Sequence, residues 1–240
     1  MSVTNLSAAV LDPLLRTDAS KPRITYYDDS TGERIELSTV TFANWAAKTA
    51  NLLRDELGAG AGSRVAVLLP AHWQTAAVVF GVWWIGAEVA VGPVAGADIT
   101  MCTANRIAEA DGAVGAAGEV VALSLDPFGR PVAGLPAGVT DYATSVRVQA
   151  DQIVAERQPG PALAGRSAEN VLTWALDSAA AQAITGGDRV LSTAAWDTGA
   201  RLVDGLLAPF AVGASLVQVA HPDPAALTRR RTTENITRSL

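Results

Sequence analysis

Residues 58–93 read GAGAGSRVAVLLPAHWQTAAVVFGVWWIGAEVAVGP, and this stretch decides the fold. The glycines at its start are typical of a turn. Residues 64–69, RVAVLL, form a short and evenly apolar run, which is typical of a parallel strand covered on both faces. A predicted helix over residues 72–85 and a second predicted strand over residues 88–92 follow. The pattern therefore predicts a βαβ unit with a right-handed crossover.

Two features of this stretch also resemble a membrane span and a phosphate-binding loop. Residues 76–97 are apolar except for Glu88, so they approach the length of a membrane span. A carboxylate near the bilayer centre costs roughly 2.5–3.5 kcal/mol, which favours a buried helix instead. The glycines of residues 58–62 resemble a phosphate-binding loop. They precede a strand rather than joining a strand to a helix, so their amides are not directed at a phosphate, and the turn is favoured.

The remaining chain adds elements of both kinds. Sequence patterns predict helices over residues 6–15, 38–57, 170–184 and 201–210, and strands over residues 24–27, 35–37, 120–125, 188–192 and 215–219. Residues 126–140 and 158–165 are rich in proline and glycine and are predicted as loops. The fold predicted from these elements is α/β, with a doubly wound, mostly parallel sheet and helices on both faces. A single domain is expected over residues 1–227, followed by a polar tail over residues 228–240.

Composition limits the functions to consider. The 240 residues are 49% hydrophobic and 18% charged, which is typical of a globular domain. A net charge of -6 argues against a nucleic-acid partner, because phosphate binding needs clustered Lys and Arg. The three arginines at residues 229–231 are more typical of a solvated helix face than of a binding site. The single cysteine, Cys102, and the absence of a basic leader before Asp12 lead us to expect a cytoplasmic protein.

Several stretches together resemble a known family. They are LS at 37–38 opening a helix that ends ANLL at 50–53, GSRVAVLLP at 62–70, GDRVLST at 187–193, and LLAPFAVGASLVQV at 206–219. Their order and spacing over residues 24–227 are similar to the N-terminal domain of adenylate-forming enzymes, the AMP-binding or acyl-CoA synthetase-like group. The resemblance implies the family's fold for this chain.

The family's chemistry depends on a loop that this sequence replaces. Adenylate-forming enzymes activate a carboxylate with ATP and hold the pyrophosphate with a T-S-G-T-T-G-x-P-K-G loop, whose amides and lysine balance the charge. The matching residues 156–168 read ERQPGPALAGRSA, which contains no lysine and no Thr-Gly cluster. Three lost charge-assisted contacts amount to roughly 5–9 kcal/mol. Arg166 replaces the lysine only in part.

The resemblance also implies that the family's second half is not represented in this sequence. With it are missing the adenine-binding segment, the acidic residue that holds the ribose, and the C-terminal domain with its catalytic lysine. The sequence is therefore interpreted as a truncated form of the family's pattern that lacks the phosphate loop.

The resemblance offers two candidate ligand-binding residues. After GDRVLST the family places aromatic residues and a histidine that line the acyl pocket, and the matching positions here include Trp196 and Asp197. The alternative is that Trp196 packs under the following helix and that Asp197 caps it.

Other reactive residues do not form a recognisable motif. His72 begins a helix after a strand and is placed to face a crevice at the carboxyl edge of the sheet, but it has no nucleophile partner. His221 and Asp223 lack the spacing of metal ligands and are interpreted as a surface turn. Cys102 has no activating pair. We therefore predict no catalytic, cofactor-binding or metal-binding residues.

Two functions of different classes remain open. The first is a non-catalytic pseudoenzyme that acts as a binding or assembly module, without a cofactor, as a homo-oligomer or with a protein partner. It is favoured by the replaced phosphate loop. The alternative is an acyl-activating, AMP-forming carboxylate-CoA ligase-like subunit that is completed by another chain and uses ATP and Mg²⁺.

Overall fold

The computed structural model describes residues 4–240. In chain order its helices are α1 (Leu6–Thr17), α2 (Thr39–Asn51), α3 (Trp73–Trp84), α4 (Ile107–Ala113), α5 (Tyr142–Arg147), α6 (Ala168–Ala181), α7 (Gly199–Leu202), α8 (Ala208–Ala211) and α9 (Pro224–Thr233). Its strands are β1 (Pro22–Asp28), β2 (Glu33–Ser38), β3 (Arg64–Leu68), β4 (Glu88–Val91), β5 (Ala97–Thr103), β6 (Val114–Leu123), β7 (Val139–Asp141), β8 (Arg189–Ser192), β9 (Ser215–Ala220) and β10 (Arg238–Ser239). A π-helical turn, Leu52–Glu56, extends α2, and a second one, Val203–Leu207, joins α7 to α8.

The strands lie in two sheets. Sheet A has the order β10-β8-β9-β1-β2 and is parallel except for the antiparallel pair of β1 and β2. Sheet B has the order β4-β3-β5-β6-β7 and is parallel throughout. The α/β class with mostly parallel strands is thus confirmed, and the strands are divided between two sheets.

Helix α3 explains why there are two sheets. Every residue of this helix is buried, and it contacts β1 of sheet A as well as β3 and β4 of sheet B. A helix that is apolar on all sides needs a partner on all sides, and a single sheet would cover only one of them. The long apolar run is therefore the centre of the molecule.

Within residues 4–240, none of the helices has both the length and the apolar character needed to cross a membrane.

Helices α2 and α3 pack closely between the sheets. A Cβ atom at Gly81 of α3 would lie 2.9 Å from the carbonyl oxygen of Ala46 in α2, so glycine permits this approach. The rings of Phe42, Phe80 and Phe210 then join α2, α3 and α8, with centroids 5.4 to 5.5 Å apart.

Local signals predicted several elements correctly. The hairpin over residues 22–38 is confirmed, and Ser38 caps α2 by accepting a hydrogen bond from the Thr41 N–H at 3.2 Å. Strand β5 was not predicted, although it lies next to β3 in the middle of sheet B. Its sequence, ADITMCT, alternates polar with apolar residues, so it lacks the continuous apolar run that marks β3.

Residues 224–240 form part of the folded domain. The boundary between residues 227 and 228 lies inside α9, and β10 adds an edge strand to sheet A. Of the three arginines at residues 229–231, the middle one is not solvated as predicted. Arg230 is buried, forms an ion pair with Asp29 at 2.6 Å and lies 3.8 Å from the ring centroid of Tyr27. Helix α9 is therefore fastened to the outer face of sheet A.

A carboxylate just after α9 completes this attachment. Glu234 is buried and accepts hydrogen bonds from the hydroxyl of Tyr27, from Arg34 at 3.0 Å and from Arg189. Burial alone would raise the pKa of Glu234. The hydrogen bonds from Tyr27, Arg189 and Arg34 outweigh burial and lower the pKa to about 2.

We expect the Glu234→Gln variant to lower the free energy of unfolding by about 1–3 kcal/mol at pH 7, because the partly buried Arg189 and the half-exposed Arg34 lose a charged hydrogen-bond partner. The folded-state pKa is lowered, so the stabilisation by Glu234 is present above its ordinary value of 4.5 and is lost as the pH falls towards about 2. Urea unfolding at pH 7 and pH 3 measures both effects. The difference between wild type and variant is expected to shrink at the lower pH.

The control is Glu109→Gln, which removes an exposed carboxylate paired with Arg106 and is expected to leave the free energy of unfolding nearly unchanged. A Glu234→Gln variant as stable as the wild type at pH 7 would contradict the assignment.

Candidate functional site

A cavity of about 440 Å³ lies where the carboxyl ends of strands from both sheets meet. We call it the crevice. Sheet A contributes the ends of β1, β8 and β9, and sheet B contributes the residues that follow β3 and β6. Its polar lining residues are Tyr26, Asp28, Thr31, Glu33, His72, Ser124, Thr193, Gln218 and His221. In α/β proteins the carboxyl edge of a parallel sheet is the usual place for a ligand.

His72 is held at the crevice by its position as the N-cap of α3. Its Nδ1 atom accepts a hydrogen bond from the Gln74 N–H at 3.1 Å, so the neutral ring carries its proton on Nε2. The side chain is 2% exposed, and Nε2 has no hydrogen-bond partner. Burial lowers the pKa of His72, and the nearby carboxylate of Glu33 opposes this only in part. The ring is therefore neutral near pH 7.

Two further unpartnered oxygen atoms lie in the same lining. Glu33 is 13% exposed, and its Oε1 atom is 3.8 Å from Nε2 of His72, which is too far for a hydrogen bond. Gln218 is 1% exposed; its Nε2 donates to the carbonyl of Ala194 and leaves Oε1 without a partner. A buried polar atom left unpaired costs roughly 1–3 kcal/mol. The residues lining the crevice thus include three polar atoms that are shielded from solvent and have no hydrogen-bond partner.

The rim of the crevice carries a second histidine. His221 is exposed in the turn after β9, and its Nδ1 lies 2.9 Å from Oδ1 of Asp28. Asp28 also accepts hydrogen bonds from Ser30, and these contacts together hold the pKa of Asp28 below its ordinary value despite burial. The side chains of Asp28 and His221 at the rim are thus paired with each other, whereas His72 Nε2, Glu33 Oε1 and Gln218 Oε1 have no partner.

The two residues predicted to bind a ligand lie elsewhere. Trp196 is buried under the helical segment that follows it, where a Cβ atom at Gly205 would approach its Nε1 to 2.9 Å. Asp197 is exposed and pairs with Arg201 at 2.8 Å. Thr198, and not Asp197, caps α7, so the capping interpretation of Asp197 is wrong. Neither Trp196 nor Asp197 lines the crevice, and their binding of a ligand stays a prediction.

The segment that matches the family's phosphate loop is tied to the end of α3. The Gly160 N–H donates to the carbonyl of Gly86 at 2.9 Å, and the carbonyl of Ala162 accepts from the Val89 N–H at 2.9 Å. The indole N–H of Trp83 donates to the same Ala162 carbonyl at 2.8 Å. These bonds fix the segment beside β4.

The carboxylate of Glu88 holds the later part of this segment in place. Glu88 accepts a hydrogen bond from the Gly165 N–H at 2.7 Å on one oxygen and from Arg64 at 3.1 Å on the other. The Ala162 N–H donates to the carbonyl of Arg166 at 2.7 Å. Amides of this segment are therefore used within the protein, and a negative charge lies where an anion would need donors.

Two further features bear on chemistry. Cys102 is buried, and burial raises the pKa of its thiol to about 11, so it is not an activated nucleophile. Among residues 4–240 there is no group of three or more His, Cys, Asp or Glu side chains arranged to hold a metal ion.

Solved structures with the same fold are large enzymes. An acyl-CoA synthetase of Brucella canis aligns with a TM-score of 0.80 at 17% identity, over 98% of this chain and 46% of that chain. A benzoate CoA ligase from Burkholderia xenovorans LB400 aligns with a TM-score of 0.74 at 18% identity, over 99% and 50%. The acetoacetyl-CoA synthetase of Streptomyces lividans aligns with a TM-score of 0.73 at 17% identity, over 96% and 41%. This chain spans about half the length of these structures.

These alignments define the class of the fold: it is that of the N-terminal region of adenylate-forming, acyl-CoA synthetase-like enzymes, which confirms the resemblance. A protein of Mycobacterium tuberculosis (strain ATCC 25618 / H37Rv) described as a TIGR03089 family protein is 67% identical over 240 residues, covering 99% of this chain and 98% of the relative. The chain belongs to the TIGR03089 family. A scan against protein-family models found no match.

Sequence reasoning missed Glu33 and Gln218 as site residues. Gln218 gave a usable signal, because it is the polar residue inside the apolar strand SLVQVA. Glu33 follows the turn after β1 and is indistinguishable in sequence from a solvated turn residue. Only the pairing of β1 with β2 places it opposite Asp28, at the crevice.

We expect His72 to remain neutral as the pH falls through the ordinary histidine value of 6.5, since burial lowers its pKa. The unfolded chain then binds a proton first, so the free energy of unfolding should fall below pH 6.5. The His72→Asn variant keeps a capping side chain and should lose this part of the pH dependence. NMR titration of the imidazole protons and urea unfolding from pH 7.5 to 5 measure the two effects.

The matched control is His221→Asn, which replaces the exposed histidine and should retain the His72 contribution to the pH dependence. An imidazole of His72 that titrates at or above pH 6.5 would contradict the assignment.

Proposed function

We propose that this protein is a non-catalytic binding module built on the adenylate-forming fold. The proposal rests on the hydrogen bonds made by the backbone amides of residues 156–166. The Gly165 N–H is bonded to the carboxylate of Glu88, and the Gly160 and Ala162 N–H groups are bonded to backbone carbonyls. Activation of a carboxylate by ATP requires free donors and a cation at this segment. These three amides are therefore not free to hold a pyrophosphate, and the segment contains no lysine.

Arg166 does not supply the missing cation. Its guanidinium lies 5.0 Å from the ring centroid of Trp174, so it is directed at the face of an aromatic side chain. Glu88, which is buried beside the segment, would repel a polyphosphate. Both features support a module that keeps the fold and lacks the reaction.

The alternative is a carboxylate-CoA ligase-like subunit that uses ATP and Mg²⁺ and is completed by another chain. It is supported by the fold alone, because the enzymes that share the fold are less than 25% identical. Under the favoured proposal no cofactor takes part. The single, buried Cys102 supports a cytoplasmic location as part of the same proposal.

We expect no ATP-pyrophosphate exchange above background when the purified protein is incubated with MgATP and a mixture of aliphatic and aromatic carboxylic acids. A carboxylate-CoA ligase of the same fold, assayed in parallel, is the positive control. Exchange that is robust and depends on the added acid would contradict the proposal and favour the ligase.

The module is proposed to work as an assembly of identical chains or with a protein partner, and we commit to the homo-oligomer. Phe128 and Val148 are 78% and 80% exposed, and Arg147, next to Val148, donates to the carbonyl of Phe128. Phe128 also lines a shallow cavity with Trp45 and Trp73. An exposed aromatic side chain at such a cavity, with a second exposed apolar residue adjacent in sequence to Arg147, is typical of a surface that another protein covers.

We expect size-exclusion chromatography with light scattering at micromolar concentration to show a dimer or a larger oligomer. The Phe128→Ser variant should shift it towards the monomer, whereas Leu176→Ser, which changes a half-exposed residue on α6, should not. A wild-type protein that is strictly monomeric, with no co-purifying protein, would count against the assembly.

A further inference from the structure

The surface that carries Phe128 has a basic part and an acidic part, which follow each other closely in the chain. We propose that this surface binds a second copy of the chain around a two-fold axis, with Arg147 of each copy against Asp151 of the other. The inference rests on the proposed function, since it names the contacts of the homo-oligomer proposed there.

The basic part consists of four side chains that line one shallow cavity, those of Trp45, Lys48, Phe128 and Arg147. Lys48 donates to the carbonyl of Gln149, and Arg147 donates to the carbonyl of Phe128 at 3.1 Å. These acceptors carry no charge, and among the residues described neither cation forms an ion pair with a carboxylate. The basic part therefore presents two uncompensated positive charges beside an exposed aromatic ring.

The acidic part consists of Asp151 and Val154, and both residues are exposed. Ile153 and Ala155 pack against the core, so Val154 between them points outward and is 77% exposed. Within the part of the chain that the structure describes, the carboxylate of Asp151 makes neither a hydrogen bond nor an ion pair. The acidic part thus combines an unpaired negative charge with an exposed apolar side chain.

Both parts lie beside the same helix. Asn51 of α2 donates to the carbonyls of Ala150 at 2.8 Å and of Gln152 at 3.0 Å. These bonds hold the segment that carries Asp151 alongside α2, which also supplies two residues of the basic part. Val148 is 80% exposed and lies between the two parts in sequence. The basic and acidic parts therefore form one surface.

Such a surface is complementary to itself. In a two-fold contact the basic part of one copy meets the acidic part of the other, and the reverse contact is made at the same time. Two copies that each carry a net charge of -6 repel one another, which favours contact where the local charges are opposite. The same contact covers the exposed side chains of Phe128, Val148 and Val154.

The test uses two charge-reversal variants, Arg147→Glu and Asp151→Arg, each alone and then mixed in equal amounts. Size-exclusion chromatography with light scattering over a dilution series gives the dissociation constant of the dimer. Each variant alone places like charges together at two symmetric positions, so its dissociation constant should rise about tenfold or more. In the mixture the two reversed charges face each other, and a heterodimer should form with about the affinity of the wild type.

Asp177→Arg is the matched control, because it makes the same change of charge at an exposed position of α6 and should dimerise as the wild type does. Asp151→Arg keeps the inference testable if Arg147→Glu does not fold. Asp151 makes no hydrogen bond or ion pair among the described residues, whereas Arg147 holds the loop at Phe128.

A wild-type dimer that neither variant weakens would overturn the inference and leave the homo-oligomer as proposed. Two weakened variants whose mixture does not dimerise would also overturn it, and so would a wild-type assembly larger than a dimer. A wild-type protein that is strictly monomeric would overturn the inference together with the homo-oligomer.

Discussion

The buried carboxylate of Glu88 and the backbone carbonyls at the end of α3 hold residues 156–166 against the centre of the molecule. Two glycines make this contact possible. A Cβ atom at Gly86 would lie 2.8 Å from Cγ of Glu156, and one at Gly160 would lie 2.8 Å from the backbone nitrogen of Gly62. Residues 58–93 therefore do more than form a βαβ unit: they also bind the segment that the sequence resemblance matches to the phosphate loop of adenylate-forming enzymes.

The position of α3 links this contact to the crevice. The C-terminal end of the helix holds the closed segment, and its N-terminal end presents His72 between the two sheets. Both features follow from one apolar helix that is buried on every side. The protein thus has a crevice at the carboxyl edge of its strands, and at the other end of α3 the amides of Gly160, Ala162 and Gly165 are bonded within the protein.

Sequence patterns predicted what depends on neighbouring residues, such as the cap at Ser38 and the limits of α3. They did not predict which strands pair, and the division into two sheets depends on contacts between distant residues. For the site, the placement of His72 at a strand edge was predicted, whereas Glu33 and Gln218 reach it only through the pairing of β1 with β2 and β9. Arg230 was misjudged for the same reason, since its partner Asp29 is remote in sequence.

Amide hydrogen exchange of residues 156–166, with and without millimolar MgATP, tests the central claim most directly. The N–H groups of Gly160, Ala162 and Gly165 are bonded within the protein, so they should be protected in the free protein and should stay equally protected when MgATP is added. Rapid exchange of these amides in the free protein, together with protection that appears only with MgATP, would show an open phosphate-binding segment and would contradict the account.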